Sequence, residues 1–414
     1  MSVARGKATD FSCVTTKNIT MKGANFLEKL LDNQPVEWKK LGEVFITRNG
    51  YTPSKSNPEY WEGGTIPWYR MEDIRENGRI LSDALQHITP KGVKGNGLFK
   101  ANSIILATTA TIGEHALITT DALCNQQLTN FEIKEDFKDK LLSKFVFYYF
   151  YVIDDWCKKN VNVSSFPSVS VPKLKKLDFP IPPLSVQSRI VEILDKFTSL
   201  EAELEAELEL RKKQYAYYRE QLLNFSYTPP SEFNVVYKKL GEVADYEQPT
   251  AYLVKDTKYK EDYPTPVLTA GKTFILGYTN ETEGIYEASK HPTIIFDDFT
   301  TALRWVDFDF KAKSSAMKMI TSKDENVCLL KYIYYWLCTV PSEVVVGDHK
   351  RQWISNYANK DFPLPPLSEQ ERIVEILDKF DTLTNSISEG LPLEIQLRRQ
   401  QYEYYREQLL DFRH

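Results

Sequence analysis

Apolar residues fall into a helical rhythm twice along the chain, each time directly after a proline-rich elbow. The first series runs Ile190, Ile193/Leu194, Phe197, Leu200, Leu204, Leu208, Tyr215, Tyr218, Leu222 and Phe225. The second runs Ile373, Ile376/Leu377, Phe380, Leu383, Ile387, Ile395, Tyr402, Tyr405, Leu409 and Phe412. Steps of three and four held over some forty residues predict helices of roughly 60 Å at about 1.5 Å per residue. No single compact domain needs such a rod, so each seam is expected to pack on the other as a coiled coil. Ser185 and Ser368 follow the proline pairs as expected N-caps. In the second series Glu389-Gly-Leu-Pro392 intervenes. Pro392 must break or kink that helix, or open a new segment at its first turn.

The rhythm is part of a wider internal repeat. Lys39-Lys-Leu-Gly-Glu-Val44 returns as Lys238-Lys-Leu-Gly-Glu-Val243, and Phe179-Pro-Ile-Pro-Pro-Leu-Ser185 returns as Phe362-Pro-Leu-Pro-Pro-Leu-Ser368. Arg189-Ile-Val-Glu-Ile-Leu-Asp-Lys-Phe197 recurs unchanged as Arg372 to Phe380. Gln214 to Phe225 reappears, nearly unaltered, as Gln401 to Phe412. Phe26-Leu-Glu-Lys-Leu-Leu-Asp-Asn33 echoes the end of a repeat, which places the start of the chain beside the C-terminal helix and implies a quasi-twofold arrangement. The predicted organisation is a mobile leader (1–25), a first globular domain (26–178), an elbow with helix and linker (179–237), a second globular domain (238–361), and an elbow with helix (362–414).

Between the repeated elements lie two blocks of mixed pattern, which makes the fold class α+β. Ser103-Ile-Ile-Leu-Ala-Thr108 and Thr293-Ile-Ile-Phe296 read as strands. Lys144-Phe-Val-Phe-Tyr-Tyr-Phe-Tyr151 and Lys331-Tyr-Ile-Tyr-Tyr-Trp-Leu337 read as helices whose aromatics belong to a core. Matched ends around divergent middles suit two readers of different targets on one frame.

Composition narrows the classes. The 414 residues exceed one ordinary core, and no apolar stretch is long enough to span a bilayer. Five cysteines without a Cys-x-x-Cys pair read as free thiols in a reducing cytoplasm. The net charge of −5 argues against nucleic acid until its distribution is considered. Residues 39–178 hold 19 basic and 16 acidic residues, whereas 368–412 hold 5 and 10. Acid concentrated on the helices leaves room for local basic clefts.

Candidate DNA contacts are polar or basic groups in turns beside aromatics. In the first block these are Arg70, Lys91, Lys94, Thr109, Gln126 and Ser165; in the second, Lys272, Arg304, Lys311, Lys313, Lys350, Arg351 and Gln352. Arg and Gln can pair bidentately with guanine and adenine edges, whereas Lys and Ser more often hold phosphate. Ile190, Phe197, Tyr218, Ile373, Phe380 and Tyr405 are the candidate partner-docking positions on the helices.

Catalytic patterns are weak. Ala270-Gly-Lys-Thr273 ends like a phosphate loop, but Pro266 stands where the leading glycine belongs. Asp121 with Glu132-Ile-Lys134 has loose metal-nuclease spacing, which the second block lacks. The five histidines form no His-x-x-x-His pair, and no Asn-Pro-Pro-Tyr marks an amino-methyltransferase. A reader without catalysis, a protein scaffold and a nuclease at Asp121/Glu132/Lys134 remain the competing readings, the first favoured.

The twin Lys-Leu-Gly-Glu-Val runs, the two elbows, the twin Arg-Ile-Val-Glu-Ile-Leu-Asp-Lys-Phe runs and the twin Tyr-Tyr-Arg-Glu-Gln-Leu-Leu ends together resemble the specificity subunits of type I restriction–modification systems. The Glu201-Ala-Glu-Leu-Glu-Ala-Glu-Leu208 tetrapeptides resemble the spacers of one branch of that family. The resemblance implies two target-recognition domains reading a split site in double-stranded DNA, with helices of fixed length acting as a ruler. It also implies two methyltransferase subunits docked on the helices, translocase–nuclease subunits joining them, and no cofactor on this chain. S-adenosylmethionine, ATP and magnesium would be held by the partners.

Overall fold

The computed structural model of the chain describes residues 26–162, 167–225, 234–271, 273–342, 351–386 and 388–413. It divides into two compact units, Met1–Ala202 with Leu397–His414, and Glu203–Gln396. The division runs through the helices rather than at the elbows.

In the first unit, a five-stranded sheet orders its strands Phe45–Asn49, Leu128–Ile133, Ser103–Ala107, His115–Ile118 and Ile80–Leu81. A three-stranded sheet orders His87–Ile88, Ile66–Tyr69 and Leu123–Cys124. The second unit is built alike. Its four-stranded sheet runs Ala244–Glu247, Met317–Ser322, Thr293–Asp297, Leu303–Val306, and its three-stranded sheet runs Ile275–Thr279, Thr265–Leu268, Lys311–Ala312. The two strands expected from sequence are the central ones, buried on both faces. The expected aromatic helices are Ser143–Lys159 and Leu330–Leu337, with Phe145, Tyr148, Tyr149, Phe150, Tyr332 and Tyr335 in the core.

Each unit has two cores. The larger joins the main sheet, the aromatic helix and the spacer helices; in the first unit it includes Phe131, Phe150, Ile190, Leu194 and Leu409. The smaller lies under the three-stranded sheet, around Trp68, Tyr69 and Cys124 in the first unit and around Leu268, Phe310 and Met319 in the second.

The repeated sequences make repeated contacts, to the atom. Glu37–Lys40 pairs antiparallel with Asp178–Ile181, and Val236–Lys239 pairs with Asp361–Leu364 in the same register. Lys40 Nζ reaches Asp178 at 2.6 Å, and Lys239 Nζ reaches Asp361 at 2.7 Å. After each elbow a buried glutamine ties the helix to two loops. Gln187 accepts the Leu142 N–H (2.9 Å) and donates to the carbonyls of Lys140 (2.8 Å) and Pro182 (2.7 Å). Gln370 accepts the Leu329 N–H (2.9 Å) and donates to Val327 (3.0 Å) and Pro365 (2.9 Å). The Tyr148 hydroxyl donates to Asp195 at 2.6 Å, and Tyr335 donates likewise to Asp378. Burial first, then the facing carboxylate, hold both phenols well above their ordinary pKa.

One helix spans Leu184–Leu223 without a break, while its counterpart is split into Leu367–Asn385 and Gly390–Leu410. Pro392 opens the second segment in its first turn, where its missing N–H leaves no intrahelical bond unmade. Gly390 sits at φ 75°, a left-handed conformation that glycine adopts without a Cβ penalty, and a Cβ there would overlap the carbonyl oxygens of Thr382 and Leu383. Ser185 and Ser368 are not the N-caps. The helices begin one residue earlier, and the carbonyls of Pro183 and Pro366 take the first N–H bonds. Proline can stand there because a residue before the first turn needs no N–H of its own.

In the first unit Phe197 stacks on Tyr405 (5.3 Å between centroids) and lies 6.5 Å from Tyr402. In the second, Phe380 stacks on Tyr218 (5.6 Å) and Tyr215 (6.0 Å), the same three positions with the helices exchanged. Phe26 meets Tyr405 edge-on at 5.8 Å, and Leu27 is buried with Leu409 and Leu410. The start of the described chain therefore lies against the C-terminal helix, as its sequence echo predicts. The leader 1–25 lies outside the described residues.

Candidate nucleic-acid interface

The loop Asn125-Gln126-Gln127, which bears one candidate, is bonded to the chain beside Arg70 and Thr109 and to Thr52. The Asn125 N–H donates to the Tyr69 carbonyl (2.9 Å), which brings Arg70 alongside. The Thr108 N–H donates to Gln127 (3.1 Å), which brings Thr109. Thr52 Oγ1 donates to Gln126 Oε1 at 2.6 Å, and the neighbouring Tyr51 hydroxyl donates to Gly92 (3.2 Å) while accepting the Lys94 N–H (2.7 Å). The Lys94 ammonium stands 4.7 Å from the Tyr51 ring centre. Lys91, Lys94 and Gln126 are exposed, and Arg70 and Thr109 half-buried. Arg70 Nε is buried without a hydrogen bond in the chain, although Glu72 lies 3.8 Å away. Lys91 pairs with Glu59 at 3.2 Å, an exposed contact that water and phosphate can replace. Ser165 lies outside the described residues.

Two features hold this surface in place. Gly50 precedes Tyr51 where a Cβ would overlap the carbonyl oxygens of Cys124 and Asn125. Arg48 threads beneath the Lys94 loop, its guanidinium donating to Asn96 and Leu98 and lying 4.8 Å from the Phe99 ring centre. Neither was among the sequence candidates. An arginine diagonal to a glutamate on the neighbouring strand (Arg48 and Glu132, 3.7 Å) looks like an ordinary surface pair until the loop folds over it.

In the second unit the candidates form two groups. Arg304 lies over Phe274 (5.9 Å), and Lys313 is exposed with its N–H on Leu268, so both flank the loop that contains Lys272. Lys272 itself lies outside the described residues, as does Lys350. Arg351 is exposed and precedes the turn Gln352–Ser355, whose Gln352 and Trp353 N–H groups donate to Asp298 (2.9 and 2.8 Å).

Two expectations need correction. Lys311 is no surface contact: it is 1% exposed, pairs with Glu281 at 3.1 Å and donates to the Gly284 carbonyl, closing the small sheet from within. The short strand Lys311–Ala312 is buried at both positions, which residue type could not reveal. On the helices, Ile190 and Ile373 are fully buried in the units' own cores, and Phe197, Phe380 and Tyr405 are engaged in ring stacks within the chain. Tyr218 also stacks on Phe380 but stays 40% exposed, and the helices further expose Leu184 (44%), Leu210 (61%) with Tyr217 (60%), and the repeats of that pair, Leu397 (49%) with Tyr404 (43%). Each pair is seven residues apart, two turns on one helix face.

Nothing here assembles a reaction centre. Asp121 is held by Lys100 (2.8 Å) and the Ala101 N–H, and Lys134 donates to the Gly42 carbonyl (2.8 Å), so Asp121, Glu132 and Lys134 are engaged in separate contacts. Among the described residues no group of three or more His, Cys, Asp or Glu side chains is placed to hold a metal ion. The described cysteines are all free, and burial pushes the thiols of Cys157 and Cys328 up to about 12.

Comparison with known proteins agrees with the doubled architecture. The profile of the type I restriction modification DNA specificity domain matches twice, over residues 33–210 and 231–397. The chain belongs to the type I restriction–modification specificity subunits. The EcoprrI specificity subunit of Escherichia coli is 39% identical over 405 residues, covering 89% of this chain and 93% of that one. The EcoR124I/EcoR124II specificity subunit of the same species is 63% identical over 181 residues, 42% of this chain and 44% of its own length. Among solved structures, the specificity subunit from M. genitalium covers 91% of this chain at TM-score 0.53 and 14% identity. A chain from a study of complex assembly and conformational transition of the type I R-M system covers 91% at TM-score 0.56 and 15% identity. At those identities the likeness is one of fold. A specificity subunit is the non-catalytic member of its restriction enzyme, so two sheet-based readers on long helices are what this chain contributes.

Proposed function

We propose that this specificity subunit reads a bipartite site in double-stranded DNA, one half by each target-recognition domain (26–178 and 238–361). It thereby directs adenine methylation and restriction by partner subunits in the cytoplasm. The observation that carries the reading is a set of bonds that ties the chain beside Arg70 and Thr109 to the Gln126 loop, and the Gly92–Lys94 backbone to Tyr51 next to Thr52, with Arg70 Nε left unbonded. Arg70 and Gln126 supply the bidentate groups that read base edges, flanked by Lys91 and Lys94 as phosphate contacts. In the second domain Arg304, Lys313, Arg351 and Gln352 take these roles, with Lys272 and Lys350 beside them in sequence.

The outward pairs Leu210/Tyr217 and Leu397/Tyr404 are the docking positions for methyltransferase subunits. Because the repeat presents the same residues twice, it suits two copies of one partner. S-adenosylmethionine, ATP and magnesium then belong to the methyltransferase and translocase–nuclease subunits.

Single-molecule sequencing of DNA from a methylation-free host, expressing this chain with its methyltransferase subunit, tests the proposal. A split motif with methyladenine in both halves, lost when this chain is omitted, is the expected result. A soluble complex that leaves the genome unmethylated and fails to bind DNA would favour a scaffold.

A further inference from the structure

The two units place a buried polar pair at one equivalent point, but with different chemistry. In the first, Ala107 stands opposite Leu128, and the next residue, Thr108, meets Thr129 hydroxyl to hydroxyl at 2.8 Å. In the second, Asp297 stands opposite Met317, and the next residue, Asp298, meets Lys318 at 3.8 Å. The backbone above is used alike: the Thr108 carbonyl accepts the Val169 N–H (2.8 Å), and the Asp298 carbonyl accepts the Gln352 N–H (2.9 Å). The residue that bears each pair thus also anchors a returning segment through its carbonyl, and in the second unit that segment is the turn that follows Arg351.

An ion pair is an expensive choice at this point. Both side chains are at most 2% exposed, and a buried pair is often no more stable than a neutral replacement of similar volume. The sister unit shows that the fold closes here with two hydroxyls. Lys318 Nζ makes no hydrogen bond and lies over the Tyr246 ring at 4.5 Å, so its charge is its main contribution. That charge has a use, because an exposed arginine follows close by. Burial and the charge of Arg351 lower the Lys318 pKa, while Asp298 opposes the shift, so Arg351 lies within electrostatic reach of the pair.

We propose that Lys318 is a positioning residue for DNA reading: it neutralises Asp298 so that the Arg351 guanidinium stays outside, free for a base or phosphate. The Asp298 carboxylate accepts the Trp353 N–H and its backbone carbonyl the Gln352 N–H, yet unpaired that carboxylate would draw Arg351 inward. The inference rests on the reading of Arg351 as a DNA contact.

The test uses the full chain with its methyltransferase subunit, mapping the methylated motif base by base and following thermal unfolding. Arg351→Ala should relax the second half of the motif; an unchanged motif would sink the reading of Arg351 itself. Lys318→Met should weaken discrimination in the second half by about tenfold or more, the scale of one good base contact, and leave the first half intact. The double variant Asp298→Thr/Lys318→Thr imports the sister pair: a threonine hydroxyl still accepts from the Trp353 N–H, and no carboxylate remains to capture Arg351. It should recover the second half. A full motif in Lys318→Met overturns the proposal, as does a double variant that melts like the parent yet stays relaxed.

Discussion

Replacing Gln187 by alanine should lower the unfolding transition of the first unit by about 4–16 °C, and Gln370→Ala should do the same to the second. Each glutamine is wholly buried and makes three hydrogen bonds, one of them to a proline carbonyl that is buried with it. A neutral bond contributes about 1 kcal/mol net, and a buried acceptor left unpaired costs about 1–3 kcal/mol. The other two partners are only part-buried, so water recovers some of the loss. The sum is about 2–4 kcal/mol for either variant, at roughly 2–4 °C per kcal/mol for a unit of this size. Scanning calorimetry of the purified chain resolves the shift, provided that the two units give separate transitions or that one is marked by a local probe. Gln187→Glu should cost more than alanine, since it buries a carboxylate oxygen directly against the Lys140 and Pro182 carbonyl oxygens. The reasoning fails if either alanine variant moves its transition by less than about 2 °C, or if the two costs differ more than twofold.

Four further outcomes are expected. Deleting one Glu-Ala-Glu-Leu tetrapeptide from 201–208 removes about 6 Å of helix and just over one full turn. The preferred spacer between half-sites should shorten by one or two base pairs at about 3.4 Å each, and an unchanged spacer in the methylation map would refute the ruler. Gly50→Ala, which drives a Cβ into two backbone carbonyls beneath Tyr51, should abolish reading of the first half-site while the second half stays legible in binding assays. Lys91→Ala/Lys94→Ala should weaken binding to all sequences alike and lower the salt slope of log K by about 2. An unchanged slope would remove both from the phosphate contacts. Tyr217→Ala and Tyr404→Ala should each lose one methyltransferase subunit from the complex, read as mass by light scattering, with DNA contacts of the isolated chain unaffected.

Much of this protein was legible without coordinates because its information is local and repeated. Helical spacing over forty residues, proline pairs before it and Glu389-Gly-Leu-Pro392 within it fix where helices start and break by rules acting over a few residues. The duplication of Lys39–Val44, the elbows and the Tyr-Tyr-Arg ends required that any contact made once be made twice, and the twin Gln187 and Gln370 ties follow from it. Residue type alone proposed Arg70, Lys91, Lys94, Thr109 and Gln126 as contacts in the first unit, which the half-site variants above are designed to test.

Tertiary structure decided which way each side chain faces. Lys311 reads as a surface cation, but its strand puts it inside against Glu281. Ile190 and Ile373 read as a docking seam, yet the chain covers that seam itself, and the outward stripe falls to Leu210, Tyr217, Leu397 and Tyr404. Gly50, Arg48 and the Asp298–Lys318 pair gave no signal in sequence. Their roles come from segments tens of residues away that approach only when the sheets close. Periodicity reports which residues share a face; what lies opposite that face is settled by long-range packing alone.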